Sequence, residues 1–167
     1  MAAQHASNVE QLLLSTAFDG EFFKDEPMSR HTTYRIGGPA KYFVRVDSLG
    51  ALSSLITACN ASEMSHVVVG RGSNLLVSDE GVDGVVIMLG RDFKNMQADE
   101  ETASITAGAG VLLSSVVQEA LRCSFGGLEF CVGTPGSLGG ALFMNAGSRT
   151  DWIGSRVKSV TVHSPEA

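Results

Sequence analysis

Between Val132 and Gly147 the chain carries no charged residue, and five of these positions are glycine: Gly133, Gly136, Gly139, Gly140 and Gly147. Thr134-Pro135-Gly136-Ser137 opens directly into the apolar, helix-compatible run Leu138 to Met144, and Asn145 and Ala146 follow. A stretch of this kind exposes backbone. Glycine lets another group approach the main chain without a Cβ in the way, proline suits the mouth of a helix, and the first helical turn leaves N–H donors unpaired and dipole-positive. Two uses follow: an anion such as phosphate can sit on those donors, or the glycines let a helix pack closely on a sheet.

A second glycine-rich turn bears on that choice. The β-branched run His66-Val67-Val68-Val69 empties into Gly70-Arg71-Gly72-Ser73-Asn74-Leu75. A dinucleotide fingerprint of the Rossmann kind needs a third glycine at position 75 and an amphipathic helix after it. Position 75 is leucine, and Leu76 to Gly81 reads as an extended piece and a turn. No Gly-Lys-Ser/Thr phosphate loop occurs either. What remains is a nest of consecutive N–H groups around Gly70 to Asn74, with Ser73 and Asn74 as side-chain partners and Arg71 as a charge.

The chain's 167 residues, 44% of them hydrophobic, suffice for one domain or two small lobes with a core. Its formal charge of −6, without a cluster of Lys or Arg, disfavours nucleic-acid and anionic-membrane partners. An anion must therefore be held by local dipoles and one or two cations rather than by a general positive field. No apolar run reaches the ~18 residues needed to span a bilayer, and Met1 to Ser7 lacks the regions of a signal peptide, so a cytoplasmic protein is expected. Cys59, Cys123 and Cys131 show no metal-ligand spacing and read as reduced and at least partly buried. His5, His31, His66 and His163 read as surface or strand-end residues.

Taken in order, Ser7-Asn8-Val9-Glu10 has capping-box spacing, which predicts an amphipathic helix over 8–17. Phe22 to Ser29 reads as a polar connection and His31 to Gly38 as a loop. A strand over Lys41 to Val46 follows, with Tyr42, Val44 and Val46 on one face. Leu49 to Cys59 spaces out a helix capped by Asp47 or Ser48, and strands are expected at Val67 to Val69 and Val85 to Leu89. Alternation from Phe93 to Ala98, the turn Asp99-Glu100-Glu101 and Ala103 to Thr106 make a hairpin. Next comes a helix with Leu112, Leu113, Val116, Val117, Ala120 and Leu121 on its apolar stripe, stopped by Gly126-Gly127. Gly108 and Gly110 at its entrance form a third candidate N–H cluster, though a plain strand-to-helix turn explains them too. Val157 to His163 reads as a strand, and Ser164 to Ala167 as turn chemistry with no second arm, which implies a chain cut inside its second lobe.

Four motifs occur in order: Thr33-Tyr34-Arg35-Ile36-Gly37-Gly38, Gly70 to Leu75, Gly127-Leu128-Glu129-Phe130, and Gly133 through Gly147. Together, across residues 33–147, they resemble the FAD-binding part of the UDP-N-acetylenolpyruvoylglucosamine reductases, flavoenzymes of peptidoglycan precursor synthesis. Other flavoproteins of the vanillyl-alcohol-oxidase type are the nearest competitors. The resemblance implies an α+β, two-lobed FAD-binding fold of the vanillyl-alcohol-oxidase / p-cresol-methylhydroxylase type, with a first α/β lobe over 1–90, an incomplete second lobe with an antiparallel sheet over 91–167, and the substrate domain elsewhere. It further implies that Gly70, Arg71, Gly72, Ser73, Asn74 and Leu75 form one pyrophosphate turn and Gly133, Thr134, Pro135, Gly136, Ser137, Gly139 and Gly140 a second. Asn145, Ala146 and Gly147 would lie along the ring system and its linker, Tyr34, Arg35 and Ile36 against the flavin, and Gly108 beside the cofactor. Both turns are then expected to cradle one diphosphate.

In that family NADPH reduces FAD and the reduced flavin passes a hydride to the enolpyruvyl group of a UDP-sugar. A serine then donates a proton, with an Arg and a Glu assisting. These groups are expected in segments after Ala167, so the resemblance assigns no catalytic residue here and the chain alone is expected to be inactive. Ser148 in Asn145-Ala146-Gly147-Ser148 is not given the proton-donor role, because it sits in the flavin motif and runs into Arg149. Ser148-Arg149-Thr150 also departs from the Ala-Tyr-Gly of many members. A stand-alone flavin or nucleotide-binding module without chemistry needs the same turns; the reading frame beyond Ala167 separates the two.

Overall fold

The computed structural model describes residues 2–164, with side chains from Asn8 onward. The chain forms two units that divide between Asp92 and Phe93.

The first unit is a four-stranded sheet with helices. Its elements are α1 (Ala2–Leu14), β1 (Gly20–Pro27), β2 (Pro39–Val46), α2 (Leu49–Ala61), β3 (His66–Val69) and β4 (Val82–Leu89). The strand order is β1-β2-β4-β3, with β1 antiparallel to β2 and the other pairs parallel. Pairing of Tyr42 with Val85 and of Val44 with Ile87 stacks these buried side chains on one face, together with Val46. Tyr42 Oη donates to Glu10 Oε2 at 3.2 Å, which ties α1 to that face. The opposite face buries Phe43 and Val86, in register, with Met28, Ala40 and Val69. Ser48 caps α2, its hydroxyl accepting from the Ala51 N–H at 3.3 Å.

Two expectations fail in this unit. The first helix runs through Ser7 to Ala2 and stops at Leu14, so the capping-box spacing marks no start; the Ser7 side chain lies outside the described residues. Phe22 to Pro27 is strand, not connection: Phe23 pairs with Phe43 and Lys24 with Tyr42. Its Lys24-Asp25-Glu26 run lacks strand propensity, but β1 is an edge strand, where charge is tolerated and guards the open side.

The second unit begins with the hairpin of β5 (Met96–Asp99) and β6 (Ser104–Ala107), which pair antiparallel. Asp99 closes the tip, accepting from the N–H groups of Glu101 at 3.0 Å and Thr102 at 3.2 Å. The helices α3 (Leu113–Arg122) and α4 (Leu138–Phe143) follow, with 3₁₀ turns at Glu129–Cys131 and Ile153–Arg156. Leu113, Val117, Cys131, Ala141 and Ile153 form the core. Cys59 and Cys131 are buried, Cys123 is half-buried, and all three are free thiols.

Here too the chain departs from its sequence pattern. Leu112 is the N-cap residue of α3 and Leu121 is exposed, so the buried stripe is narrower: Leu113, Val116, Val117 and Ala120. Ser124, at φ 59°, ends α3 rather than Gly126-Gly127, and the Phe125 N–H returns to the Ala120 carbonyl at 2.7 Å. Gly127 (φ 97°) makes the next reversal, its N–H donating to both Glu129 carboxylate oxygens at 3.0 and 2.8 Å. Residues 157–163 form no strand. Val157, Val160 and Val162 are exposed, and a β-branched run without a ladder partner among the described residues has nothing to hold it as strand. Of the terminal turn expectation, residues 165–167 lie outside the described residues.

Truncating Leu113, fully buried between α3 and its neighbours, is expected to cost about 2–5 kcal/mol in L113A, read as a lower urea midpoint. Glu129 carries a pH signature. The Gly127 N–H, and then Glu129's own backbone N–H, hold its carboxyl below the usual range in the folded chain. Its stabilisation is therefore complete near neutrality and lost as pH falls through the ordinary carboxylate range toward the folded value. Urea midpoints of E129Q should accordingly vary less with pH between about 6 and 3 than those of the wild type.

Candidate functional site

In the first unit the site is built at the carboxyl end of β3, where parallel strands present their ligands. The Gly70–Leu75 turn begins the connection to β4, which is a loop rather than a helix. Leu75 and Val77 anchor it by packing against the Met28, Phe43 and Val86 cluster. Its top is set by backbone contact. Gly72 sits at φ 65°, and a Cβ there would lie 1.9 Å from the His31 carbonyl oxygen. The Thr33 N–H donates to the Gly72 carbonyl at 3.0 Å. Among the described residues, the N–H groups of Arg71 and Asn74 make no backbone hydrogen bond, so the nest is open.

The neighbouring loop holds the other predicted residues. Buried Thr32 donates its hydroxyl to the Ile36 carbonyl at 2.8 Å, and the Arg35 N–H returns to the Thr32 carbonyl at 3.1 Å. Arg35 is left-handed at φ 56°. This tight bend turns Tyr34, Arg35 and Ile36 outward, all three exposed. Arg35 and Arg71 have no carboxylate partner among the described residues, and the Thr33–Gly72 bond joins the loops that carry them. Two free cations beside open amides suit a diphosphate in an otherwise acidic chain. Beneath the loop, Met28, Val67, Leu75, Leu76 and Val86 help line an apolar cavity of about 250 Å³.

In the second unit, the Gly133–Gly140 segment pairs with the segment after β6. Leu113 N–H donates to Gly136 O at 3.0 Å, Leu138 N–H to Val111 O at 2.8 Å and Gly139 N–H to Ala109 O at 2.9 Å. A Cβ on Gly139 would stand 2.8 Å from that of Ala109. This corrects the helix-mouth reading. The N–H groups of Leu138 and Gly139 are consumed by pairing and that of Gly140 by Ser137 Oγ at 3.3 Å. The donors of this segment left without a backbone acceptor among the described residues are those of Gly133, Gly136 and Ser137. Pro135 precedes the N-cap residue Ser137 and does not open the helix. Thr134 N–H is bonded to Cys131 O at 3.0 Å, and Gly133 (φ 81°) has open space where a Cβ would stand.

Gly108 is also corrected. Its N–H donates to Asn95 O and that of Gly110 to Phe93 O, each at 2.9 Å, so they offer no third amide cluster. A Cβ on Gly108 would meet the Phe93 carbonyl at 2.2 Å: the glycine is there for close packing.

Asn145, Ala146 and Gly147 hold a turn. Asn145, at φ 47°, accepts at Oδ1 from the Gly154 N–H at 3.0 Å; Ala146 O accepts from Ile153 N–H at 2.8 Å; Gly147 bridges to Trp152. Ser148 Oγ accepts from the N–H groups of Thr150 and Asp151. Asn145 Oδ1 is thus engaged within the protein. The turn from Ser148 to Trp152 was invisible as a fold element because its ties run back to α4.

His31 is the residue that sequence reasoning missed. It is no surface histidine: its ring stacks on Phe43 with centroids 3.8 Å apart and planes 18° apart, and Nε2 lies 3.0 Å from Glu26 Oε1. No sequence pattern signals a ring that stacks on one strand and hydrogen-bonds a carboxylate of another.

The model of the FAD binding domain family matches residues 40–166. The chain belongs to this family. It is 45% identical over 149 residues, 89% of its length, to the UDP-N-acetylenolpyruvoylglucosamine reductase of Heliobacterium modesticaldum, and 40% identical over 129 residues, 77% of its length, to that of Bacillus subtilis. These matches cover 47% and 42% of the two relatives. The crystal structure of UDP-N-acetylenolpyruvylglucosamine reductase from Thermus caldophilus superposes with a TM-score of 0.63 at 38% identity, covering 80% of this chain and 44% of that one. The chain thus spans just under half the length of these relatives. As an FAD binding domain of α+β class, it has FAD as its cofactor, and the open amides and free arginines fit the anionic part of that ligand.

Gly72 tests this geometry directly. G72A both strains a positive φ and drives a methyl into the His31 carbonyl, so a loss of about 2–4 kcal/mol in thermal or urea unfolding is expected. FAD uptake should fall with it.

Proposed function

We propose that this chain is the FAD-holding portion of an NADPH-dependent reductase that converts UDP-N-acetylglucosamine enolpyruvate to UDP-N-acetylmuramate. The carrying observation is the pair of Arg71 and Asn74 N–H groups without a backbone acceptor, and Arg35 and Arg71 without a carboxylate partner, among the described residues, in a chain 45% identical to a reductase so named. When bound, FAD supplies the capacity to accept a hydride from a nicotinamide and hand it to the enolpyruvyl carbon.

The chain's own residues bind and orient. Arg71 and Asn74 N–H groups donate to phosphate oxygens, and Arg35 and Arg71 offset their charge. In the second unit, the N–H groups of Gly136 and Ser137 are donors that can receive an anion. Tyr34 and Ile36 supply exposed apolar surface for the ring system. Asn145, Ala146 and Gly147 act by holding the turn through Trp152 in place. No residue here is assigned acid, base or nucleophile; the proposal leaves those groups and the substrate domain to the remainder of the full-length reductase. The proposal sets the reductase in the cytoplasm, where NADPH and UDP-sugars are available; among the described residues no helix is long and apolar enough to cross a membrane.

Flavin fluorescence titration of the full-length protein tests the reading. Tight FAD binding is expected, weakened about tenfold or more in R71A, the scale of one charge-assisted hydrogen bond. A full-length protein that purifies colourless and takes up no FAD overturns it.

A further inference from the structure

The backbone of His31 is the wall on which the Gly70–Asn74 turn rests, so whatever fixes His31 fixes the turn. Three contacts do so. The His31 N–H donates to Met28 O at 2.8 Å, its ring lies on Phe43 of β2, and its Nε2 reaches Glu26 of β1. Glu26 is itself held by Arg30, at 3.3 Å. The carboxylate and the imidazole are mostly buried, with 14% and 21% of their side chains exposed. A polar pair so placed restrains orientation more than an exposed one does. From His31 the chain passes straight to Thr33, whose N–H holds Gly72 O, and to Thr32, whose hydroxyl sets the Arg35 bend.

We propose that His31, clamped between Glu26 and Phe43, is a positioning residue for cofactor binding: it touches no ligand, and it sets the conformation of the Gly70–Asn74 amides and of the Arg35 bend through the loop it begins. The inference rests on the FAD-binding reading for its consequence but not for its structural content. A histidine does this where other residues do not because one flat side chain both covers the Phe43 ring and ends in a hydrogen-bonding nitrogen.

The test uses the full-length protein with two readouts. In the flavin-free protein, the Thr33 amide of H31A should exchange with solvent at least about tenfold faster than in the wild type, while the amides of β2 and β4 keep their protection. In titrations well below the melting temperature, H31A should bind FAD about tenfold more weakly, and H31F, which keeps the ring stack and drops the Glu26 bond, about threefold more weakly. In a double-mutant cycle, E26Q should weaken wild-type binding yet add nothing to H31F. Unchanged Thr33 exchange in H31F together with wild-type FAD affinity overturns the proposal, and so does an affinity loss that only follows the fraction of unfolded protein. If H31A does not fold, H31F and E26Q decide. If the wild type binds no FAD, the cofactor reading fails, and the Thr33 exchange still decides the role of His31.

Discussion

Main chain pressed against main chain at Gly72 and His31 is the contact on which the first unit's site depends. Two parallel strands, β3 and β4, are joined here by a loop, and a loop has no ladder of its own to satisfy its amides. Some of its polar groups are met by the loop after β1: Gly72 O by Thr33 N–H, and Ser78 O by Gly38 N–H. Leu75 and Val77 anchor it by burying their side chains in the cluster of Met28, Phe43 and Val86. Those amides that the neighbour does not satisfy are left open, and they are the ones that can receive an anion.

The second unit solves the same problem with other material. Its glycine-rich segment lies against the segment after β6, and the pairing consumes the N–H groups that begin α4. A six-residue helix whose first amides are already bonded has little dipole left to offer. The available donors therefore belong to the turn before it, at Gly133, Gly136 and Ser137. Glycine at 139 serves the approach to Ala109, and glycine at 108 the approach to Phe93. In both units the glycines first let segments meet, and the open amides are what remains after that packing.

How much of this could be read in advance depended on how local the cause was. β2, α2, β3, β4 and the β5–β6 hairpin follow from apolar periodicity, the Ser48 cap and the Asp99 turn, all of which act within a few residues. β1 was hidden because its charged run is held by a partner strand: Lys24 pairs with Tyr42 and Glu26 with Ala40. The apparent strand over 157–163 shows the converse: good β composition, but no ladder to join. Ser124 ended α3 in a left-handed conformation that glycine was expected to supply. His31 escaped because its stacking on Phe43 and its bond to Glu26 link three segments that no short window contains.

By itself the sequence determined the glycine spacing, the absence of charge from Val132 to Gly147, and the four motifs in order, which mark an FAD binding domain. Those are properties of side-chain type and position, and they survive without coordinates. Only tertiary structure decided which amides stay open, that Arg35 and Arg71 lack acidic partners among the described residues, that Asn145 is tied to Gly154, and that His31 is clamped. Each of these is a hydrogen bond or contact, or its absence, between segments far apart in the chain, and such a choice is made when the chain folds.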